Sequence, residues 1–249
     1  MLSAKVAGRL QALPVDLGNV VRQGDLLAQV ERTDYELGLQ QSAAALAQAR
    51  TAVGLRPEGE DDHIAVDQVS SVKQAKAVLD EATQNRARVK SLSQSGIASQ
   101  SELDTVEAAY KVALSRHDTA LEEALTRTAA VAQRRAEYEM ARKKLADASV
   151  RAPFDGAVQS RPAHLGEYVA PGTPILELVK TDPLRLRLQV PERECTLVRT
   201  GQVVHLFVEG DTNAYTGQIA RLSPALDEQS RMLLVEADVP ARGALRPGL

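Results

Sequence analysis

The chain has 249 residues, 33 of them acidic and 30 basic, with 3% aromatics and no tryptophan. Near-neutral charge leaves no electrostatic footprint for nucleic acid or an anionic membrane surface, and scarce aromatics exclude base-stacking platforms and one large aromatic-filled core. A single cysteine, Cys195, excludes an intramolecular disulfide, and no stretch approaches the ~18 apolar residues of a membrane span.

Residues 1–33 read as short strands. Val6, Leu10, Val15, Val20, Val21, Leu26, Leu27 and Val30 are punctuated by Gly8, Pro14, Gly18 and Gly24. The opening Met1-Leu2-Ser3-Ala4-Lys5 has no apolar signal-peptide core, so any export signal is expected outside this sequence. Residues 34–148 are rich in Ala, Gln, Arg and Glu and read as helix. Residues 149–249 return to strands, with turn signals at Asp155-Gly156, Pro171-Gly172, Gly201, Gly210-Asp211 and Pro247-Gly248.

An internal repeat joins the two β-rich ends. Gly8, Gly18 and Gly24 recur at one offset of 148 positions as Gly156, Gly166 and Gly172. Leu17, Val21, Leu27 and Val30 likewise recur as Leu165, Val169, Ile175 and Leu178. Glycine supplies positive φ in turns, and the apolar partners fill one face of a small sheet. The expectation is one flattened barrel of two quasi-symmetric halves, with backbone hydrogen bonds between residues 5–31 and 151–179.

This glycine spacing resembles each half of a biotinyl/lipoyl domain. The Asp-Lys hairpin that carries the modified lysine in such carriers is absent: Glu31-Arg32-Thr33-Asp34 leads into helix instead, and Lys180 has no such hairpin around it. A split lipoyl domain holding a helical insert resembles the periplasmic adaptors, the membrane fusion proteins of the HlyD type. Arg151-Ala152-Pro153-Phe154-Asp155-Gly156 and Gly166-Glu167-Tyr168-Val169-Ala170-Pro171-Gly172 are similar to that family's re-entry into the second half. The implied fold is α+β and multi-domain: a split lipoyl-like domain (1–33 and 149–181), an antiparallel coiled-coil hairpin (34–148) and an incomplete β-barrel domain (182–249).

The return helix is expected from about Ser99 to Ala148. Leu103, Val106, Tyr110, Ala113, His117, Ala120, Ala124, Thr128, Val131, Arg135, Tyr138 and Leu145 mostly keep the 3/4 spacing of a two-stranded coil. This seam is alanine-rich and includes Arg135, so little burial per layer is expected. The outgoing helix is interrupted by Gly54-Leu55-Arg56-Pro57-Glu58-Gly59-Glu60-Asp61-Asp62 and resumes near Val66. That interruption reads as a solvated acidic loop bulging from one arm, dispensable for the hairpin. Asp61, Asp62 and His63 have donors that suit divalent ions, but three adjacent residues without a further ligand point to a solvated loop.

The hairpin turn is Ser93-Gln94-Ser95-Gly96-Ile97-Ala98-Ser99, with Gly96 suited to the residue after a helix and Ser99-x-x-Glu102 to a capping box. Arg88, Leu92 and Ser99 stand there as Arg-x3-Leu-x6-Ser, which resembles the tip motif of adaptors that dock on TolC-type outer-membrane channels. The resemblance implies an apolar knob from Leu92, a charge-assisted bond from Arg88 and a small polar contact from Ser99. Taken alone, Ser99 reads equally well as a helix cap.

Leu184, Leu186, Leu188 and Val190 alternate with polar residues as in a half-buried strand, followed by a short helical stretch from Pro191 to Arg199. Further strands are expected at 203–208, 216–222 and 233–239. The family resemblance implies that the barrel domain is cut short at Leu249 and that the sequence is a fragment. His63, His117, His164 and His205 sit in separate segments without metal-ligand spacing, Cys195 has no catalytic neighbour, and no phosphate-binding loop occurs. No cofactor and no enzymatic activity are expected. The implied role is a periplasmic adaptor, anchored to the inner membrane in the full-length protein. It would link an inner-membrane transporter, of RND or ABC type, to a TolC-type channel, as a homo-oligomeric ring of trimer or hexamer type. Two other readings stay open here: a lipoyl or biotinyl carrier, and a cytoplasmic coiled-coil scaffold.

Overall fold

The computed structural model describes residues 1–208, 213–241 and 245. The turns expected at Gly210-Asp211 and Pro247-Gly248 lie outside the described residues. The chain divides into two compact units, Met1–Arg32 with Asp147–Leu249, and Thr33–Ala146.

In the first unit, β1 (Leu2–Ser3), β2 (Gly8–Ala12), β3 (Val20–Val21) and β4 (Leu26–Val30) interleave with β5 (Ser149–Arg151), β6 (Gly156–Ser160), β7 (Tyr168–Val169) and β8 (Pro174–Val179). They form two four-stranded sheets, ordered β1-β8-β6-β3 and β5-β4-β2-β7. Shifting the first order by 148 positions yields the second, strand for strand. The registers follow: Leu2 faces Leu176 as Val150 faces Ala28, and Val20 faces Ala157 as Tyr168 faces Arg9.

The crossing bonds are reciprocal too. The Gly18 amide donates to the Val158 carbonyl and the Gly166 amide to the Leu10 carbonyl; the Gly24 amide donates to Ala152 and the Gly172 amide to Ala4. Gly18 and Gly166 have φ of 82° and 83°, Gly24 and Gly172 of 92° and 91°, the left-handed region that glycine enters without a Cβ clash. Side chains close these turns at matching places with different chemistry. Asn19 and Glu167 accept from the amides of Asp16 and His164, and Asp25 and Thr173 from those of Arg22 and Ala170. The third glycine pair differs in conformation: Gly8 has φ 147°, Gly156 has no positive φ, and both are small because a neighbour crowds them. A Cβ would strike Val30 at Gly8 and the Val179 carbonyl at Gly156. Leu10, Leu27, Val30, Val169, Ile175 and Leu176 are fully buried between the sheets. After β4 the chain enters a helix at Thr33, so no hairpin joins the halves there.

The second unit holds α1 (Thr33–Ala52), α2 (Ser70–Gln94) and α3 (Gln100–Asp147, ending one residue into the first unit), with a 3-10 turn at Val66–Gln68. At 1.5 Å per residue the 48 residues of α3 span roughly 72 Å. Leu46 of α1 and Val53 just after it pack on Val131, and Val69 and Val72, at the start of α2, on Ala124, so α1 and α2 run antiparallel to α3 in succession. Every residue of the expected α3 seam is buried or half-buried. None of the described helices is long and apolar enough to cross a membrane.

The last sheet belongs to the first unit and comprises β9 (Leu184–Pro191), β10 (Val203–Phe207), β11 (Ala214–Leu226) and β12 (Met232–Val239), in the order β10-β11-β12-β9. Ile219, Val235 and Ala237 form its core with Leu186, Leu188, Val190, Val204 and Leu222. A six-residue 3-10 segment, Glu192–Leu197, follows β9, and Cys195 donates weakly to the Pro191 carbonyl at 3.4 Å.

Candidate functional site

The turn between α2 and α3 is shaped by its backbone. The Ile97 amide donates to the Leu92 carbonyl at 2.9 Å and the Gly96 amide to Ser93 at 2.9 Å, with Gly96 at φ 77°. This is a Schellman ending, which satisfies the orphan carbonyls of α2. Ser99 and Glu102 then open α3 reciprocally. The Ser99 amide donates to Glu102 Oε2 at 2.8 Å and the Glu102 amide to Ser99 Oγ at 3.3 Å. The Ser99 amide, with its hydroxyl, holds the Glu102 carboxyl below its ordinary range.

Because main-chain groups fix the turn, its side chains are left outward. Leu92 is 38% exposed and Ile97 75%. Arg88, one turn before Leu92 on the same face, is exposed and has no ion pair among the described residues. The Ala98 amide also donates to the Leu92 carbonyl at 3.3 Å. Arg86, two residues before Arg88, faces the opposite way: it pairs with Glu107 at 3.2 Å and lies 4.6 Å over the Tyr110 ring. That contact ties α2 to α3 just below the tip. Ile97 had no helical spacing to mark it in the sequence; its signal was an apolar residue directly after Gly96.

The interruption between α1 and α2 corrects the expectation of a merely solvated acidic loop. Arg50 is only 3% exposed, and its Nε donates to the Arg56 carbonyl at 2.8 Å. Asp62 accepts from Arg50 and also from Arg135 Nε at 2.6 Å, while Arg135 Nη2 donates to the Gly59 carbonyl at 2.8 Å. Leu55 and Ile64 pack onto the apolar clusters beside Val131 and Ala124. The loop is therefore a clamp: one carboxylate bridges a cation from each arm, and two apolar residues seal the gap. The Arg135 bond, strongest among several, holds the Asp62 carboxyl below its ordinary range. Arg135 fills its seam position as a partner for that carboxylate. Among the described residues, no three His, Cys, Asp or Glu side chains are grouped to hold a metal ion.

A split barrel-sandwich, an inserted helical hairpin and a following β-barrel sheet together define a membrane fusion protein. Residues 1–181 match the family described as RND MFP, barrel-sandwich hybrid domain, and residues 184–249 the one described as CusB-like, beta-barrel domain. The chain belongs to the RND membrane fusion protein family. It is 30% identical over its whole length to nodulation protein NolF of Rhizobium meliloti (strain 1021), spanning 57% of that protein. It is 29% identical over 84% of its length to multidrug resistance protein MdtN of Escherichia coli (strain K12), spanning 64% of it. The crystal structure of MacA from Actinobacillus actinomycetemcomitans shares the fold, with a TM-score of 0.57 at 23% identity over 98% of this chain and 69% of that one.

Proposed function

We propose that the chain is the periplasmic part of an adaptor that links an inner-membrane transporter of RND or ABC type to a TolC-type outer-membrane channel, several copies working as a ring. The reading is of an interaction protein whose business end is the hairpin tip. The observation that carries it is an exposed Leu92 beside an unpaired, exposed Arg88, on a turn that its own backbone already holds in shape. Neither side chain is among the buried residues of the hairpin, and their exposed surface is available to a partner. NolF and MdtN are named for nodulation and multidrug resistance, and an export role for this chain suits both names. The full-length protein would be held at the inner membrane.

Cross-linking of the tip to the channel, in the full-length protein, tests this. Leu92→Asp should abolish it without unfolding the chain, because a charge then enters an apolar contact. Arg88→Ala should weaken it by ~1.5–3 kcal/mol, the range for a charge-assisted bond. Wild-type engagement by folded Leu92→Asp would reject tip docking.

A further inference from the structure

The turn at the tip is closed on itself. In a Schellman ending, the residue whose amide reaches back five positions sits beside the residue that accepts it, and an apolar contact commonly joins the two. Here they are Ile97 and Leu92, bonded at 2.9 Å. Two apolar side chains therefore stand together at the end of the hairpin, both exposed.

The polar groups around this pair already have their bonds. The Leu92 carbonyl accepts two amides, those of Ile97 and Ala98, and the Ser93 carbonyl accepts that of Gly96. The Ser95 hydroxyl donates to the Ser91 carbonyl at 3.0 Å. The Ser99 hydroxyl donates to the Glu102 carboxylate and accepts the Glu102 amide. A polar group that keeps its bond is cheap to cover, whereas one stripped of water without a partner is costly. This surface can be dried without asking its partner for many bonds.

Charge is withdrawn from the same place. A quarter of the whole chain is charged, yet residues 91–101 run Ser-Leu-Ser-Gln-Ser-Gly-Ile-Ala-Ser-Gln-Ser, without one Asp, Glu, Lys or Arg. Arg88 and Lys90 border the stretch on α2, and Glu102 borders it on α3, already engaged by the Ser99 amide. Solubility alone would favour charge at such an exposed end. Interface centres are depleted of charge, and their rims retain it.

We propose that Ile97 is the second half of the docking knob. Leu92 and Ile97 enter one uncharged apolar depression on the channel together, Arg88 bonds an acceptor at its rim, and Ser99 serves the turn instead of the partner. The inference rests on the tip-docking reading and adds to it a residue and the chemistry of the receiving surface.

The dissociation constant of the full-length protein for the TolC-type channel of its own cell tests it. Ile97→Ser should weaken binding at least about tenfold, the scale for leaving one aliphatic side chain unburied. Ile97→Leu should stay within about threefold of wild type. Leu92→Ala combined with Ile97→Ser should weaken binding by less than the product of the two single losses, because the pair fills one depression. Ser99→Asn keeps a capping oxygen and removes the hydroxyl, so it should also bind within about threefold of wild type. Hydrogen exchange of the tip peptide in Ile97→Ser should match wild type, since backbone bonds hold the turn. Wild-type binding by Ile97→Ser, a double loss equal to the product, or loss of binding in Ser99→Asn overturns the proposal. So does weak binding by Ile97→Ser accompanied by faster exchange at the tip, the sign of a damaged turn. Leu92→Asp separates the two readings. If it binds as wild type does, tip docking itself falls; if it fails to bind while Ile97→Ser binds normally, the paired knob alone falls.

Discussion

The barrel-sandwich and the hairpin solve the problem of a small core in opposite ways. The sandwich buries whole leucines and isoleucines between two sheets, with turns repeated at one offset. The hairpin buries little: Leu46, four valines and two alanines are its enclosed apolar residues, and its one enclosed charged side chain is Arg50. The first packs many interlocking side chains; the second joins two small apolar clusters with one polar junction. Apolar packing tolerates the loss of a layer by degrees, whereas a buried cation that loses its carboxylate has no second partner of that kind.

The sharpest test of that contrast lies in the sandwich. Leu27→Ala removes a fully enclosed side chain and should cost about 4 kcal/mol in thermal or urea unfolding, toward the upper end for such cavities. Next comes the clamp: Asp62→Ala should cost about 2–3 kcal/mol, below the figure for a fully buried pair because Asp62 and Arg135 are each partly exposed. A loss no larger than that of an exposed ion pair would erase the distinction between the regions. The clamp also has a pH signature. The folded Asp62 carboxyl titrates below its ordinary 3.8, so its stabilisation is complete above that pH. It shrinks as the unfolded chain takes up the proton first, and it is gone once the pH falls through the folded value. Melting temperatures of wild type should therefore converge on those of Asp62→Asn as the pH is lowered below about 4. Smaller still, Gly18→Ala and Gly166→Ala meet no neighbour within 4 Å but share the same strained φ, so each should cost about 1 kcal/mol, equally. Smallest is Ser99→Ala at the tip, about 0.5–1 kcal/mol from the lost cap.

What the sequence disclosed and what it hid follow the same division. Gly18, Gly24, Gly166 and Gly172 mark positions where only glycine sits easily, so one offset exposed the sandwich and its symmetry before any contact was known. The seam of α3 showed for a similar reason, since helical spacing repeats. Asp62 reaches partners 12 and 73 positions away, and such a pairing leaves no periodic trace. Arg135 accordingly read as a flaw in the seam and the loop as expendable, although the two explain each other. At the tip, spacing put Arg88 and Leu92 on one face. Ile97 stands out only once the Schellman turn is seen to leave it uncovered.

The reciprocity of the two sandwich halves also bears on how the chain folds. Neither half has its edge partners until residues near 149–179 exist, because β2 needs β7 and β3 needs β6. During synthesis the first half must wait while the whole of Thr33–Ala146 emerges. An open loop of that length would be slow to close on itself. Helices form locally and quickly, so the hairpin can zip from its turn downward and deliver Val30 to Ala148, whose backbones are bonded at 2.8 Å. The long insert thus acts as the closing device of the domain it interrupts, turning a distant encounter into a local one.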